Sequence, residues 1–303
     1  MPVEYSLPPP QVAEDAWSWL PGSDELDPTR PKAKPDLSVP SLAEIQKICD
    51  PLIAQHPFPD TAAKLEAALV ELRELAKIRK DPNKLESTTP GKQRLPVSIF
   101  LQVRPQPPGA AYDKQRPITE RVILTGYELA RWFEKDTPNL AFSHALNYLI
   151  DTGQLANLPY KSPPNQARIW SALNVAVYAA LIASWHYKWR EPLTRRKPRP
   201  IEIDKTLSVL YDFNDNGSPV ATPQPHPGTP RHPSYPSGHS AVAGAACELL
   251  ALYFPGYRKD FDYLADNSGL ARMWAGIHFR ADHEFGVAMG RAIGKLIYRR
   301  ANP

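Results

Sequence analysis

Cysteine is nearly absent. The 303 residues hold two, Cys49 and Cys247, far apart and each inside an apolar helical pattern. That excludes a disulfide framework and a cysteine zinc site, and reads as buried free thiols of a reducing compartment. No histidine pair has helical metal-ligand spacing either. Glycine, at 15 residues, is not raised, so long flexible linkers are not expected. Charge of one sign is also lacking: the formal net charge is +4, too small for the overall balance to indicate a nucleic-acid binder. The N-terminal MPVEYSLPPPQ has neither the basic nor the apolar region of a secretory signal. There is no internal repeat and no heptad run. The single long uncharged stretch, Ile169 to Tyr187, approaches spanning length but contains Asn174, two serines and His186. It reads as a buried helix of a soluble bundle. A cytoplasmic protein without membrane insertion is the expectation.

Proline is in excess, at 35 of 303 residues, about 12% against a usual ~5%. Nine of these prolines fall in residues 1–40, which read as a proline-rich arm. Residues 41–303 then read as one helical domain. Ser41 with Glu44 forms a capping box ahead of a first helix, and Asp60 opens a second over 61–80. Residues 97–103 (VSIFLQV) are the best strand candidate. Amphipathic patterns follow at 118–135 and 138–150, then the central helix at about 165–188. Further helices are expected at 238–254, 258–275 and 281–300. The first-half apolar helices leave a homo-oligomer open.

Chemistry-bearing residues gather in 165–300. Pro236-Ser237-Gly238-His239 places a hydroxyl, an approachable amide and an imidazole at a helix start, where free N–H groups form half of an anion site. The segment RMWAGIHFRAD supplies a second half. Arg272 stands six residues before His278, and Asp282 four after it. An arginine fork suits an oxyanion, and Asp282 is spaced to hold one ring nitrogen of His278. Lys188 and the Arg199-Pro200 pair add cations ahead of both. The basic run 188–200 could instead serve a non-catalytic anion or nucleic-acid binding module. Asp212 to Gly217 resembles the start of a calcium loop, but Pro223 stands where the bidentate glutamate belongs, so a polar turn is the reading. His56, His144, His226 and His283 read as surface or hydrogen-bonded core residues, and His186 as packing.

Lys188…Arg199-Pro200, Pro236-Ser237-Gly238-His239 and Arg272…His278…Asp282 resemble the three-part signature of type 2 phosphatidic acid phosphatases and vanadium-dependent haloperoxidases. The family spaces its lysine and arginine more closely than Lys188 and Arg199. Arg195 stands at that closer spacing and is the alternate. The resemblance implies an all-α bundle in which Lys188, Arg199, Ser237, Gly238 and Arg272 hold an oxyanion. His278 would be the nucleophile or the vanadium ligand, and His239 the acid–base. Trp185, His232 and the Phe-Arg-Ala-Asp loop lean toward the haloperoxidase branch, with vanadate as cofactor, hydrogen peroxide and halide (bromide favoured) as substrates, and Trp185 and His232 lining a halide pocket. The alternative is a soluble phosphatase without a cofactor, acting on a phosphate ester through a phosphohistidine.

Overall fold

The computed structural model describes residues 36–80, 97–102, 125–133, 138–152, 162–190, 197–210, 229–230 and 232–303. Arg195, His226, the 212–217 turn and most of the proline-rich arm lie outside them. Among the described residues the regular elements are all helical.

Two helices open the described chain: α1 (Leu42–Ile53) and α2 (Ala62–Ile78). Ser41 caps α1 with the expected Glu44 partner. Thr61, not Asp60, caps α2, while Asp60 pairs with Lys64 at 2.9 Å. Two free cysteines are present, and both are buried.

The strand expected at 97–103 is corrected. Its described part contains the short helix α3 (Ile99–Gln102), whose start is held by Phe100 N–H donating to Ser98 Oγ at 3.3 Å. The β-type composition yields to packing: Phe100 and Leu101 are buried, and Phe100 stacks on Phe261 with centroids 4.9 Å apart. Then come α4 (Gly126–Trp132), α5 (Leu140–Asp151) and the long α6 (Pro163–Trp189), followed by α7 (Pro200–Ile203).

The centre of the bundle is α8 (Gly238–Tyr253), packed against α6, α9 (Arg258–Trp274) and α10 (Arg280–Ala301). A helix surrounded on all sides must be apolar all round, and AVAGAACELLALY is nearly that. Its small residues let α10 come close. A Cβ at Gly290 would lie 2.1 Å from the Ala241 carbonyl oxygen, so that crossing requires glycine. Another glycine is set by backbone conformation. Gly276, at φ 77, turns the chain out of α9 into the loop that carries His278, a conformation other residues resist.

The central helix does not behave as a fully buried element. In its most apolar window only 50% is buried, and by length and composition α6 could cross a membrane. Tyr178, Trp185 and Trp189 on it are large and exposed.

Candidate active site

Each motif is delivered by the end of a helix. Lys188 sits in the last turn of α6 and Arg272 in the last turn of α9. Arg199 caps the start of α7, where its backbone N–H donates to Glu202 Oε2 at 2.7 Å. Ser237 caps α8, accepting from the Ser240 N–H at 3.3 Å, and Asp282 lies in the first turn of α10. The loop before α8 is anchored through Ser234, whose N–H donates to the Lys197 carbonyl at 3.0 Å, and through Tyr235, whose hydroxyl donates to the His56 carbonyl at 2.6 Å. Ser237 N–H then donates to the Asp282 carbonyl at 2.9 Å, tying the starts of α8 and α10 together.

His278 is the hub. Its Nδ1 lies 2.8 Å from Asp282 Oδ2, so the ring proton is assigned to Nδ1 and the lone pair to Nε2. That Nε2 accepts from Arg199 Nη1 at 3.0 Å. Asp282 Oδ2 also accepts from the Phe279 N–H at 2.9 Å and from the Ser234 hydroxyl. Ser234 and the Phe279 amide therefore hold the residue that holds His278.

Lys188, Arg199 and Arg272 are all buried. Lys188 Nζ donates to the carbonyls of Pro233 at 2.7 Å and Ser234 at 2.9 Å. Arg199 donates to the Ile277 carbonyl at 2.8 Å and the His232 carbonyl at 3.0 Å. Burial pushes Arg199 down to about 10, with Arg272 adding and Asp282 opposing, so it stays protonated at neutral pH. Burial, with Arg199 adding and Asp282 opposing, holds Lys188 well below the usual lysine range. Three buried basic side chains gathered around Asp282 suit an anion of more than one charge.

The same field acts on the histidines. Burial, then Arg199, Lys188 and Arg272, hold His278 well below the usual histidine range, which keeps Nε2 unprotonated. Burial and the three cations depress His239 as well, against a backbone hydrogen bond to Phe133. Burial pushes the Asp282 carboxyl up to about 6, while Ser234, the Phe279 amide, Lys188 and Arg199 pull the other way. It is ionised at neutral pH.

Trp185 and His232 meet edge to face, with ring centroids 4.9 Å apart. His232 Nδ1 lies 3.0 Å from Arg199 Nη2. Nothing in the packing requires glycine at 238, since a Cβ there would make only an ordinary 3.6 Å contact with Ser184 Oγ. Its bareness leaves the start of α8 open to a ligand. The donor set is amine, guanidinium, hydroxyl and helix-start amide around an unprotonated imidazole nitrogen, and it fits a tetrahedral oxyanion, phosphate or vanadate alike.

Ser234, Glu202 and the Pro233 carbonyl belong to this arrangement and stand outside the motifs that sequence reasoning singled out. Ser234 had one signal, its place between His232 and Ser237 in a proline-stiffened approach. Arg199 occupies the His278 side of the pocket.

Residues 197–302 match the family model described as the PAP2 superfamily, a stretch that leaves Lys188 outside. A lipid A 1-phosphatase of Rhizobium etli is 38% identical over 78 residues, 26% of this chain and 33% of that protein. Another from Rhizobium johnstonii is 42% identical over 57 residues, 19% of this chain and 23% of that protein. The shared stretch thus spans no more than 33% of these relatives' length. A bacterial vanadium-dependent chloroperoxidase in its apo form aligns with a TM-score of 0.50 at 13% identity, covering 81% of this chain and 51% of that one. The chain therefore spans about half of that enzyme, and the likeness is one of fold.

The expectation of a cytoplasmic location is overturned. The sequence relatives are named for action on a lipid, and α6, taken from sequence as a buried bundle helix, is only half buried over a window apolar enough to span. The sequence relatives also fall on the phosphatase side, against the lean to haloperoxidase. Residues 197–302 match the PAP2 superfamily model, and the chain shares its all-α fold with a bacterial vanadium-dependent chloroperoxidase.

Proposed function

We propose that this chain is a phosphatase that hydrolyses a phosphate monoester through a phosphohistidine at His278. The observation that carries the reading is the buried Asp282–His278–Arg199 line, 2.8 Å and 3.0 Å between partners. It presents an unprotonated Nε2 inside a cluster of cations. An Arg199 N–H sits on that nitrogen. A dianionic phosphate offers Arg199 better acceptors, so binding the ester frees the nucleophile as it fills the pocket.

Nε2 then attacks phosphorus, forming the P–N bond as the ester P–O bond breaks. Lys188, Arg199, Arg272, Ser237 and the Gly238 amide hold the non-bridging oxygens, where charge accumulates. The leaving oxygen takes its proton from His239. The cations that depress His239 are offset by the bound dianion, so substrate itself raises this residue toward the protonated form it needs. In the second step His239 accepts a proton from water, the water oxygen bonds phosphorus, the P–N bond breaks, and inorganic phosphate leaves. Asp282 holds the Nδ1 proton throughout. Because the sequence relatives are lipid A 1-phosphatases, the favoured ester is a phosphate carried by a lipid, with the exposed indoles of Trp185 and Trp189 offering its apolar part a surface beside the pocket.

The contact between Trp185 and His232, next to Arg199, favours a second reading as a haloperoxidase-like enzyme. Lys188, Arg199, Ser237, Gly238, Arg272 and His278 would hold vanadate, which when bound supplies peroxide activation for halide oxidation. Paired assays separate the readings. The phosphatase reading expects hydrolysis of a lipid phosphate in mixed micelles and, more slowly, of p-nitrophenyl phosphate, with no bromination after loading with vanadate and hydrogen peroxide. Bromination without ester hydrolysis would reverse it.

A further inference from the structure

Beside the pocket lies a second buried histidine that the proposed chemistry does not use. His283 follows Asp282 on α10, and its Nδ1 is 3.0 Å from Ser240 Oγ in the first turn of α8. Its Nε2 is 3.8 Å from Asp266 Oδ1 on α9. With the ring proton on Nε2, toward that carboxylate, Nδ1 accepts the Ser240 hydroxyl proton. The helix α9 is notched to admit the ring: a Cβ at Gly269 would sit 1.7 Å from His283 Nδ1. Burial and the nearby Arg280 and Arg291 hold His283 down at about 3, so it is a neutral hydrogen-bonding group at working pH.

Ser240 is well placed to transmit this contact. Its backbone N–H donates to Ser237 Oγ at 3.3 Å, and Gly238 and His239 are the two residues between them. On the α10 side, Asp282 accepts the Ser237 N–H through its carbonyl and holds His278 through its carboxylate. The starts of α8 and α10 are thus fastened twice, once by Ser237 to the Asp282 backbone and once by Ser240 to His283.

We propose that His283 is a positioning residue, which by gripping Ser240 sets the Ser237–Gly238–His239 turn against the His278–Asp282 pair. The idea rests on the phosphatase reading for its kinetic form, but the grip itself bears on any tetrahedral anion bound there. His283→Leu removes the hydrogen bond at similar bulk, His283→Asn retains a side-chain acceptor near Nδ1, and Ser240→Ala removes the other partner.

The Leu and Ala variants are expected to lose on the order of 10- to 100-fold in kcat with KM little changed, since a small misplacement of the oxyanion turn weakens the transition state more than ground-state binding. His283→Asn should recover most of that loss. Combining His283→Leu with Ser240→Ala should cost no more than either alone, because both break one contact. Binding of orthovanadate, followed by calorimetry, should weaken in step with kcat. Wild-type kcat and vanadate affinity in Ser240→Ala, or losses that multiply in the double variant, would overturn the proposal. If His283→Leu does not fold, Ser240→Ala and His283→Asn carry the test. If the wild-type protein turns over no phosphate ester, the phosphatase reading fails, and vanadate affinity alone still decides the role of His283.

Discussion

Asp282 Oδ2 receives the His278 ring, the Phe279 amide and the Ser234 hydroxyl together, so the state of one carboxylate governs the nucleophile. Its carboxyl is pushed up to about 6 by burial. Sign and window follow. Activity depends on the ionised form, so it is present above that value and falls as pH drops through it. His239 must be protonated to release the first product, so turnover also declines as pH rises past its value in the complex. The profile should be a bell with its acid limb near Asp282. Ser234 lowers this carboxyl, so Ser234→Ala should move the acid limb of kcat to higher pH and reduce the maximum by roughly 10-fold. An unmoved limb in a pH series would remove Ser234 from the account. Arg272, His278 and Asp282 could be picked out because reactive side chains at fixed spacing form a local pattern. Ser234 lies in the proline-stiffened approach to Ser237, but its role could not be read, because its partner is 48 positions away and only folding brings them together.

At the scale of elements, the long helices were readable, as was the short α4 inside the helix expected at 118–135, while α3 and α7 were not. The expected boundaries for α6, α8, α9 and α10 lie within a few residues of those observed, because each has either a full apolar circumference or a sustained apolar stripe. VSIFLQV has too few residues for either pattern, and its helical turn is decided by Phe100 docking on Phe261. The close crossing of α8 and α10 depends on glycine in a way that composition alone does not reveal. A methyl at Gly290 would meet both the Ala241 carbonyl at 2.1 Å and the Ala245 nitrogen at 2.7 Å, which are backbone atoms with little room to yield. Gly290→Ala should therefore destabilise the protein by about 1–3 kcal/mol as the helices are forced apart. A chemical denaturation midpoint reads this directly. Because Ser237 and Asp282 stand at the starts of the same two helices, kcat should fall with it, and a midpoint equal to wild type would contradict the packing described.

For the whole molecule, charge placement matters more than net charge. A chain of only +4 overall concentrates Lys188, Arg199 and Arg272 in one buried pocket at the joined ends of five helices. Averaged composition hides such a site, whereas motif spacing exposes it. An uncharged helix such as α6 reads the same from composition whether its apolar face meets protein or lipid. The account turns on His278 Nε2 as the atom that takes the phosphoryl group. Rapid acid-free denaturation of the protein during turnover of a phosphate ester, followed by peptide mass spectrometry under neutral conditions, tests it most directly. The account predicts phosphate on the His278 imidazole, lost on mild acid treatment, and no turnover in His278→Ala. Continued hydrolysis by that variant, with no phosphohistidine in the wild-type protein, would contradict it.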